Sequence, residues 1–149
     1  MVLVDSNVFI VDRFYPGDAI YAQNRSFIEK LPSLNAAVSV LTLMELCGGA
    51  SYRLSPIELD TWLYRFDSIY PVNVVNVHGI AGKESEAWWH DFLSEIGAKI
   101  AKKMTLGDAL ILREAENYDA EAIITWNTKD FIRRTRLDIL TPTAFLRQH

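Results

Sequence analysis

A three-layer α/β/α sandwich around a central, mostly parallel sheet is the fold that this chain predicts, and three observations predict it. Short, nearly all-apolar runs rich in β-branched residues recur along the sequence, longer segments of helical periodicity separate them, and glycine or proline stands at the junctions. Apolar runs without polar alternation read as strands buried on both faces, the pattern of a parallel sheet covered by helices. Strands that alternate with helices place those helices in layers on either side of one sheet.

The elements follow in order. Val2-Leu3-Val4 is the first strand and Asp5 ends it; helical periodicity then covers 7–15 and 18–31. A second strand over 37–40 leads into helices over 42–48 and 56–69, and a third strand covers 72–77. Helices over 80–103 and 107–118 fill the long gap before the strand at 122–125. A short helical turn starts near Thr128, and a weaker strand covers 138–140. Pro32, Gly48-Gly49, Pro56, Pro71, Gly79 and Pro142 punctuate the boundaries. No repeat, low-complexity tract or Pro/Gly/Ser-rich linker interrupts the series, so residues 1–149 read as a single domain, a length that supports one core.

A net charge of −4 and a pI near 5.3 argue against an extended basic surface gripping a nucleic-acid backbone, so such a partner would be engaged locally. Cys47 is the lone cysteine, and its spacing from His78, His90 and His149 resembles no structural zinc site; a reducing, cytoplasmic setting is expected. The start, with three apolar residues between Met1 and Asp5 and no leading Lys or Arg, does not read as a signal peptide. No stretch approaches the roughly 20 apolar residues that span a bilayer, so no membrane association is expected.

The functional argument begins with four acids. Asp5 ends the first strand, Glu45 lies in the first turn after the second, Asp108 in the first turn of the helix before the 122–125 strand, and Asp130 just beyond that strand. In a parallel α/β sheet, helix N-termini and strand C-termini lie along one edge, so all four acids converge there. Each also has a local explanation: Thr42-x-x-Glu45 matches a capping box, and Asp5, Asp108 and Asp130 sit where helix starts favour Asp. Taken singly, capping accounts for each as well as catalysis does. Gathered carboxylates, however, repel one another and raise each other's pKa unless a cation compensates, and hard Mg²⁺ or Mn²⁺ takes such oxygen ligands.

The order and spacing of Asp5-Ser6-Asn7, Leu43-Met44-Glu45-Leu46, Gly107-Asp108-Ala109-Leu110-Ile111 and Thr125-Trp126-Asn127-Thr128-Lys129-Asp130-Phe131, over nearly the whole chain, resemble a PIN domain. The resemblance implies a metal-dependent nuclease, and among small members the VapC-type toxins, endoribonucleases neutralised by an antitoxin. It implies that Asp5, Glu45, Asp108 and Asp130 are catalytic and hold Mg²⁺ or Mn²⁺, directly or through water, for in-line attack of water on an RNA phosphodiester. Asn7, Thr125 and Asn127 would fix the carboxylates or orient substrate, with capping and turn formation as equal alternatives. Trp126 departs from the smaller or basic residue of many relatives; packing is favoured over base stacking.

Other features carry less. Gly79-Ile80-Ala81-Gly82-Lys83 lacks P-loop spacing and reads as a helix start. Cys47 reads as a small buried hydrophobe, and no histidine has a partner for a hydrolase triad. Trp62, Tyr64, Phe66, Trp88, Trp89 and Phe92 follow helical rows as core or subunit interface, so a homodimer is expected. Lys99, Lys102, Lys103, Arg133, Arg134 and Arg136 flank the acids; singly they are solvated helix faces, and as a group they would hold phosphates beside the metal. Two rivals stand: a catalytically silent PIN-fold scaffold or protein-binding module, and a phosphoryl-acceptor domain, which the absence of an Asp-x-Asp pattern at Asp5 opposes.

Overall fold

The computed structural model describes residues 1–82 and 84–148. Five strands, β1 (Val2–Val4), β2 (Ala36–Ser39), β3 (Asn73–Val75), β4 (Ala122–Ile124) and β5 (Asp138–Leu140), form one sheet in the order β3-β2-β1-β4-β5. Every pairing is parallel, so the sheet expected to be mostly parallel is wholly so. Among the described residues seven helices cover it: α1 (Ser6–Phe14), α2 (Tyr21–Lys30), α3 (Val40–Ala50), α4 (Pro56–Tyr64), α5 (Ser85–Ala101), α6 (Leu106–Asn117) and α7 (Pro142–Gln148).

Side-chain alternation along the strands builds the three layers. Val2, Val4, Val38 and Ile124 point to one face and join Phe9, Phe27, Leu46, Trp62 and Phe145 from α1, α2, α3, α4 and α7. Leu3, Ala37 and Ile123 point to the other face and meet Phe92 and Ile96 of α5 and Leu112 of α6. The strands β1, β2 and β4 are buried throughout, as the apolar runs require. The edge strands β3 and β5 are not: their exposed residues have one side without a neighbour.

The sequence boundaries shift where capping intervenes. The expected 37–40 strand ends at Ser39, because the Ser39 hydroxyl accepts from the Thr42 amide at 3.1 Å and starts α3 at Val40. The expected Thr42–Glu45 capping box is therefore wrong, and Glu45 lies in the second turn rather than the first. A capping box does exist at Ser55 and Glu58, opening α4. That helix stops at Tyr64 and a separate 3-10 turn covers Phe66–Ser68, in place of one helix to residue 69. The helix expected from residue 18 begins at Tyr21, since Asp18 folds into a turn that accepts the Ile20 amide at 3.0 Å.

The helix expected over 80–103 starts only at Ser85. Gly79 and Gly82 adopt φ of +78° and +81°, which a helix excludes, so the glycine segment is a pair of turns and not a helix start. Lys83, within that segment, and His149 lie outside the described residues. The helix α7 was absent from the sequence reading, although Thr141-Pro142 is its cap and first position: the Thr141 hydroxyl accepts the Ala144 amide at 3.1 Å. Among the described residues no helix is long and apolar enough to cross a membrane.

Candidate active site

The strand order reverses direction between β1 and β4: the chain lays β2 and β3 on one side of β1, then β4 and β5 on the other. Such a switch point opens a crevice beyond the strand C-termini, the usual ligand position in open α/β sheets. Asp5 follows β1 there, Thr125 follows β4, and the Asp5 amide continues the ladder to the Ile124 carbonyl at 2.9 Å.

Asp5 occupies the N-cap position of α1 but makes no side-chain cap bond, so the capping explanation fails for it. Its carboxylate is instead the focus of a buried network. The Asn7 amide donates to Oδ2 at 2.6 Å, the Thr125 hydroxyl donates to Oδ2 at 2.7 Å, and the Ser6 hydroxyl lies 3.3 Å from Oδ1. Thr125 Oγ1 also accepts from Asn7 Nδ2 at 2.9 Å and from the Asn127 amide at 3.0 Å. A hydroxyl has one proton and two lone pairs; with both lone pairs occupied, the proton is committed to Asp5. Asn7 Oδ1 accepts the Trp126 amide at 3.1 Å, which fixes the orientation of its side-chain amide.

Trp126 packs against the core on the α1 face, and its indole N–H donates at 2.7 Å to Asn24, a fully buried residue of α2. Asn24 in turn donates to the Val8 carbonyl at 2.9 Å. Packing is thus the role of the indole, as expected over base stacking. Sequence reasoning missed Asn24; the only signal was an amide on the inward face of a helix.

Glu45 and Asp108 come from helices that touch, α3 and α6. Thr105 caps α6: its hydroxyl accepts the Asp108 amide at 3.2 Å and donates to the Asp108 carboxylate at 2.6 Å. The Glu45 carboxylate rests on the first turn of α6, so close to Gly107 that an added Cβ would stand 2.2 Å from Oε1. That close approach needs glycine, and it sets the carboxylate at a positive helix end. Gly107 had a signal in the sequence, a glycine in a helical first turn where alanine is intrinsically better.

Asp5, Glu45 and Asp108 act on one another electrically. Burial lifts Asp5 above the usual carboxylate range and the Asp108 charge adds to it, while bonds from Thr125 and Ser6 pull the other way. Desolvation where its carboxylate leans on α6 also lifts the otherwise exposed Glu45, with the charges of Asp5 and Asp108 adding. Asp130 stands apart: the charges acting on Glu45 are those of Asp5 and Asp108. Its carboxylate, in the 3-10 turn Thr128–Asp130, accepts from the side chain of Asn127, whose backbone amide donates to Thr125, which in turn bonds Asp5.

The all-oxygen, mutually repelling donor set of Asp5, Glu45 and Asp108 has the chemistry of a hard-cation site. As the side chains stand, no three His, Cys, Asp or Glu among the described residues group closely enough to hold one ion. Cys47 is buried and its thiol is pushed up by burial, which suits a small hydrophobe. Trp62, Phe66 and Phe92 lie in the core, while Tyr64 and Trp89 are exposed; the aromatic surface expected for self-association is smaller than the sequence suggested.

No protein-family model matches the chain, and no curated protein sequence does. Solved structures do. A chain of VapBC2 from Rickettsia felis bound to a DNA fragment from their promoter aligns with a TM-score of 0.64 at 19% identity, over 95% of this chain and 98% of that one. A toxin–antitoxin complex from Klebsiella pneumoniae aligns with a TM-score of 0.59 at 24% identity over 95% and 98% of the two chains. VapBC-1 from nontypeable Haemophilus influenzae aligns with a TM-score of 0.59 at 21% identity over 96% and 99%. The fold of this chain is the α/β fold of those structures.

Proposed function

We propose that the protein is a metal-dependent endoribonuclease and the toxin of a toxin–antitoxin pair. The observation that carries this reading is the mutual repulsion of Asp5, Glu45 and Asp108 on one side of the fold, with Asp5 buried and oriented by Thr125 and Asn7 rather than spent on capping. Asp5, Glu45 and Asp108 would hold Mg²⁺ or Mn²⁺, with Asp130 reaching it through water. A bound ion of that kind supplies Lewis-acid activation of water and neutralises charge on a phosphodiester. Thr125 and Asn7 hold the Asp5 carboxylate in one orientation through Oδ2. Asn127 holds Asp130 and ties it to Thr125.

The toxin role is supported by a fold shared with toxin–antitoxin complexes, one of them bound to promoter DNA. The antitoxin would be a protein partner. A homodimer fits the stripe Trp89, Leu93 and Ile100 exposed along α5. A cytoplasmic setting would fit the buried free thiol of Cys47 and an RNA substrate.

One observation favours the silent-scaffold alternative: Asp108 is engaged by its own cap and Glu45 by a helix terminus, so both have a structural use. A single experiment separates the two. Purified protein is incubated with a mixed single-stranded RNA pool in Mn²⁺, Mg²⁺ or EDTA and compared on a gel with Asp5→Asn; metal-dependent cleavage lost in the variant is expected. Equal cleavage by both proteins would sink the nuclease reading, and absence of carboxylate-dependent Mn²⁺ binding by calorimetry would favour the scaffold.

A further inference from the structure

A second charged feature lies on the α5/α6 side of the sheet, beyond Asp130. A cavity of about 640 Å³ opens between the ends of α5 and α6 and the segment that returns from Asp130 to β5. Lys102, Arg133, Arg134 and Arg136 line it, so four of the chain's 15 Lys and Arg converge there within a protein of net charge −4. Two carboxylates, Glu116 and Asp119, share the wall. Glu116 is already engaged, by Lys99 at 2.6 Å and by the Thr135 hydroxyl at 3.2 Å, which leaves the cations in excess.

The arrangement is held in place. The Arg134 guanidinium donates to the Lys102 carbonyl at 3.1 Å and to the Asp130 carbonyl, joining the end of α5 to the turn that carries the fourth acid. The positive-φ non-glycine residues among those described are Lys103 at +65°, Asp119 at +49° and Arg133 at +67°. Asp119 and Arg133 line this cavity and Lys103 adjoins Lys102. Left-handed backbone at residues with a Cβ is costly and persists where the surroundings impose it, often at functional sites. Lys102 and Lys103 have a local reason for being cationic, the negative end of α5. Arg133, Arg134 and Arg136 belong to no helix, and of the three Arg134 is engaged by the Lys102 and Asp130 carbonyls.

We infer that this cavity is a phosphate-binding exosite for single-stranded RNA, in which Lys102, Arg133 and Arg136 contact backbone phosphates of the strand beyond Asp130 while Arg134 braces the wall. The inference rests on the nuclease reading for its choice of polyanion. In this arrangement the basic surface that engages RNA is one pocket, extending to the strand N-terminal edge where Asp119 and Ala120 precede β4 and Leu137 precedes β5, rather than a spread face. Phosphate contacts position a strand without reading its bases, so the site acts equally on different sequences.

The test is binding without cleavage. Fluorescein-labelled single-stranded RNAs of two unrelated sequences are titrated with the full chain in EDTA, and anisotropy is followed over a salt series. Arg133→Ala combined with Arg136→Ala, both exposed and outside the core, is expected to weaken binding of both strands on the order of tenfold and to lower the log–log salt slope by roughly 0.7 per lost contact. Arg136→Glu should weaken binding further than Arg136→Ala, with an unchanged circular dichroism spectrum. Lys30→Ala combined with Arg147→Ala, in the opposite helical layer, should bind as wild type. A double variant that binds like wild type with the same slope overturns the exosite; if Asp5→Asn still abolishes cleavage, the nuclease reading survives that result. Salt-dependent binding lost in the arginine variants, without cleavage by wild type under any metal, keeps the exosite and removes the nuclease. Displacement of RNA by inorganic phosphate as effective as by unlabelled strand would mark a free-anion site and overturn the strand assignment.

Discussion

The two halves of the acidic site are built differently. On the β1/β4 side, Asp5 is buried, its carboxylate receives donors from Asn7, Thr125 and Ser6, and Thr125 has every hydrogen-bonding site filled. On the α3/α6 side, Glu45 is exposed and Asp108 half-exposed, and each is held at the start of α6. The first half is a rigid reference built from strand ends whose register the ladder sets; the second is a pair of side chains that can swing. An acidic cluster assembled this way is preorganised on one side and adjustable on the other. Substitutions should therefore act differently on the two halves.

The largest contrast is expected from Asp5→Asn. It keeps the size of the side chain but removes the anionic oxygen, so RNA cleavage should fall on the order of a hundredfold or more while the melting temperature of the metal-free protein holds or rises. Gel assays and thermal melts read the two quantities; lost activity together with a collapsed melt would show that Asp5 is structural. Next, Thr125→Val should take an acceptor from the part-buried donors of Asn7 and Asn127 and remove a hydrogen bond from the buried Asp5, costing about 1–3 kcal/mol in urea unfolding. Thr125→Ser should recover most of that loss. If Val costs nothing, the rigid half is not rigid.

On the adjustable side, Gly107→Ala should separate stability from function. The new methyl would push the Glu45 carboxylate off the helix start, and the long side chain can move, so unfolding free energy should rise by a few tenths of a kcal/mol, up to about 1, from helix propensity. Mn²⁺ affinity and cleavage should nevertheless drop about tenfold, the scale of losing one ligand's placement. An active variant with unchanged metal affinity would remove Glu45 from the site.

The smallest effect is a pH dependence. Asp5 and Glu45 have folded-state pKa values raised above their ordinary ones, so the stability they contribute is present below the unfolded carboxylate range and is lost as pH climbs through the raised values. In EDTA, Asp5→Asn should accordingly melt higher than wild type at neutral pH, with the gap closing as the solution is acidified through the carboxylate range. A gap that widens in acid would mean Asp5 is stabilised as an anion. Added Mn²⁺ should close the gap at neutral pH by stabilising the wild type alone.

Much of this was readable before any coordinates. The apolar runs at Val2–Val4 and Ala122–Ile124 announced buried parallel strands because a covered strand tolerates no polar alternation, and Asp5 and Thr125 sit at their ends for that reason. The bonds that Asn7 and Thr125 make to Asp5 were legible as well, since amide and hydroxyl side chains at strand ends can fix a carboxylate without adding charge. Local chemistry determined even the missed α7, whose Thr141-Pro142 start went unread. What only tertiary structure decided was which partner each group takes. Asp5 could cap α1 or face Thr125, 120 residues away, and it faces Thr125 because β1 and β4 are neighbours in the sheet. Glu45 could reach back to Thr42, but Ser39 holds that cap, so the carboxylate is left to lean on Gly107. Hydrogen-bonding capacity is a property of the residue; its use depends on which groups the packed helices and the strand order bring within 3 Å of it.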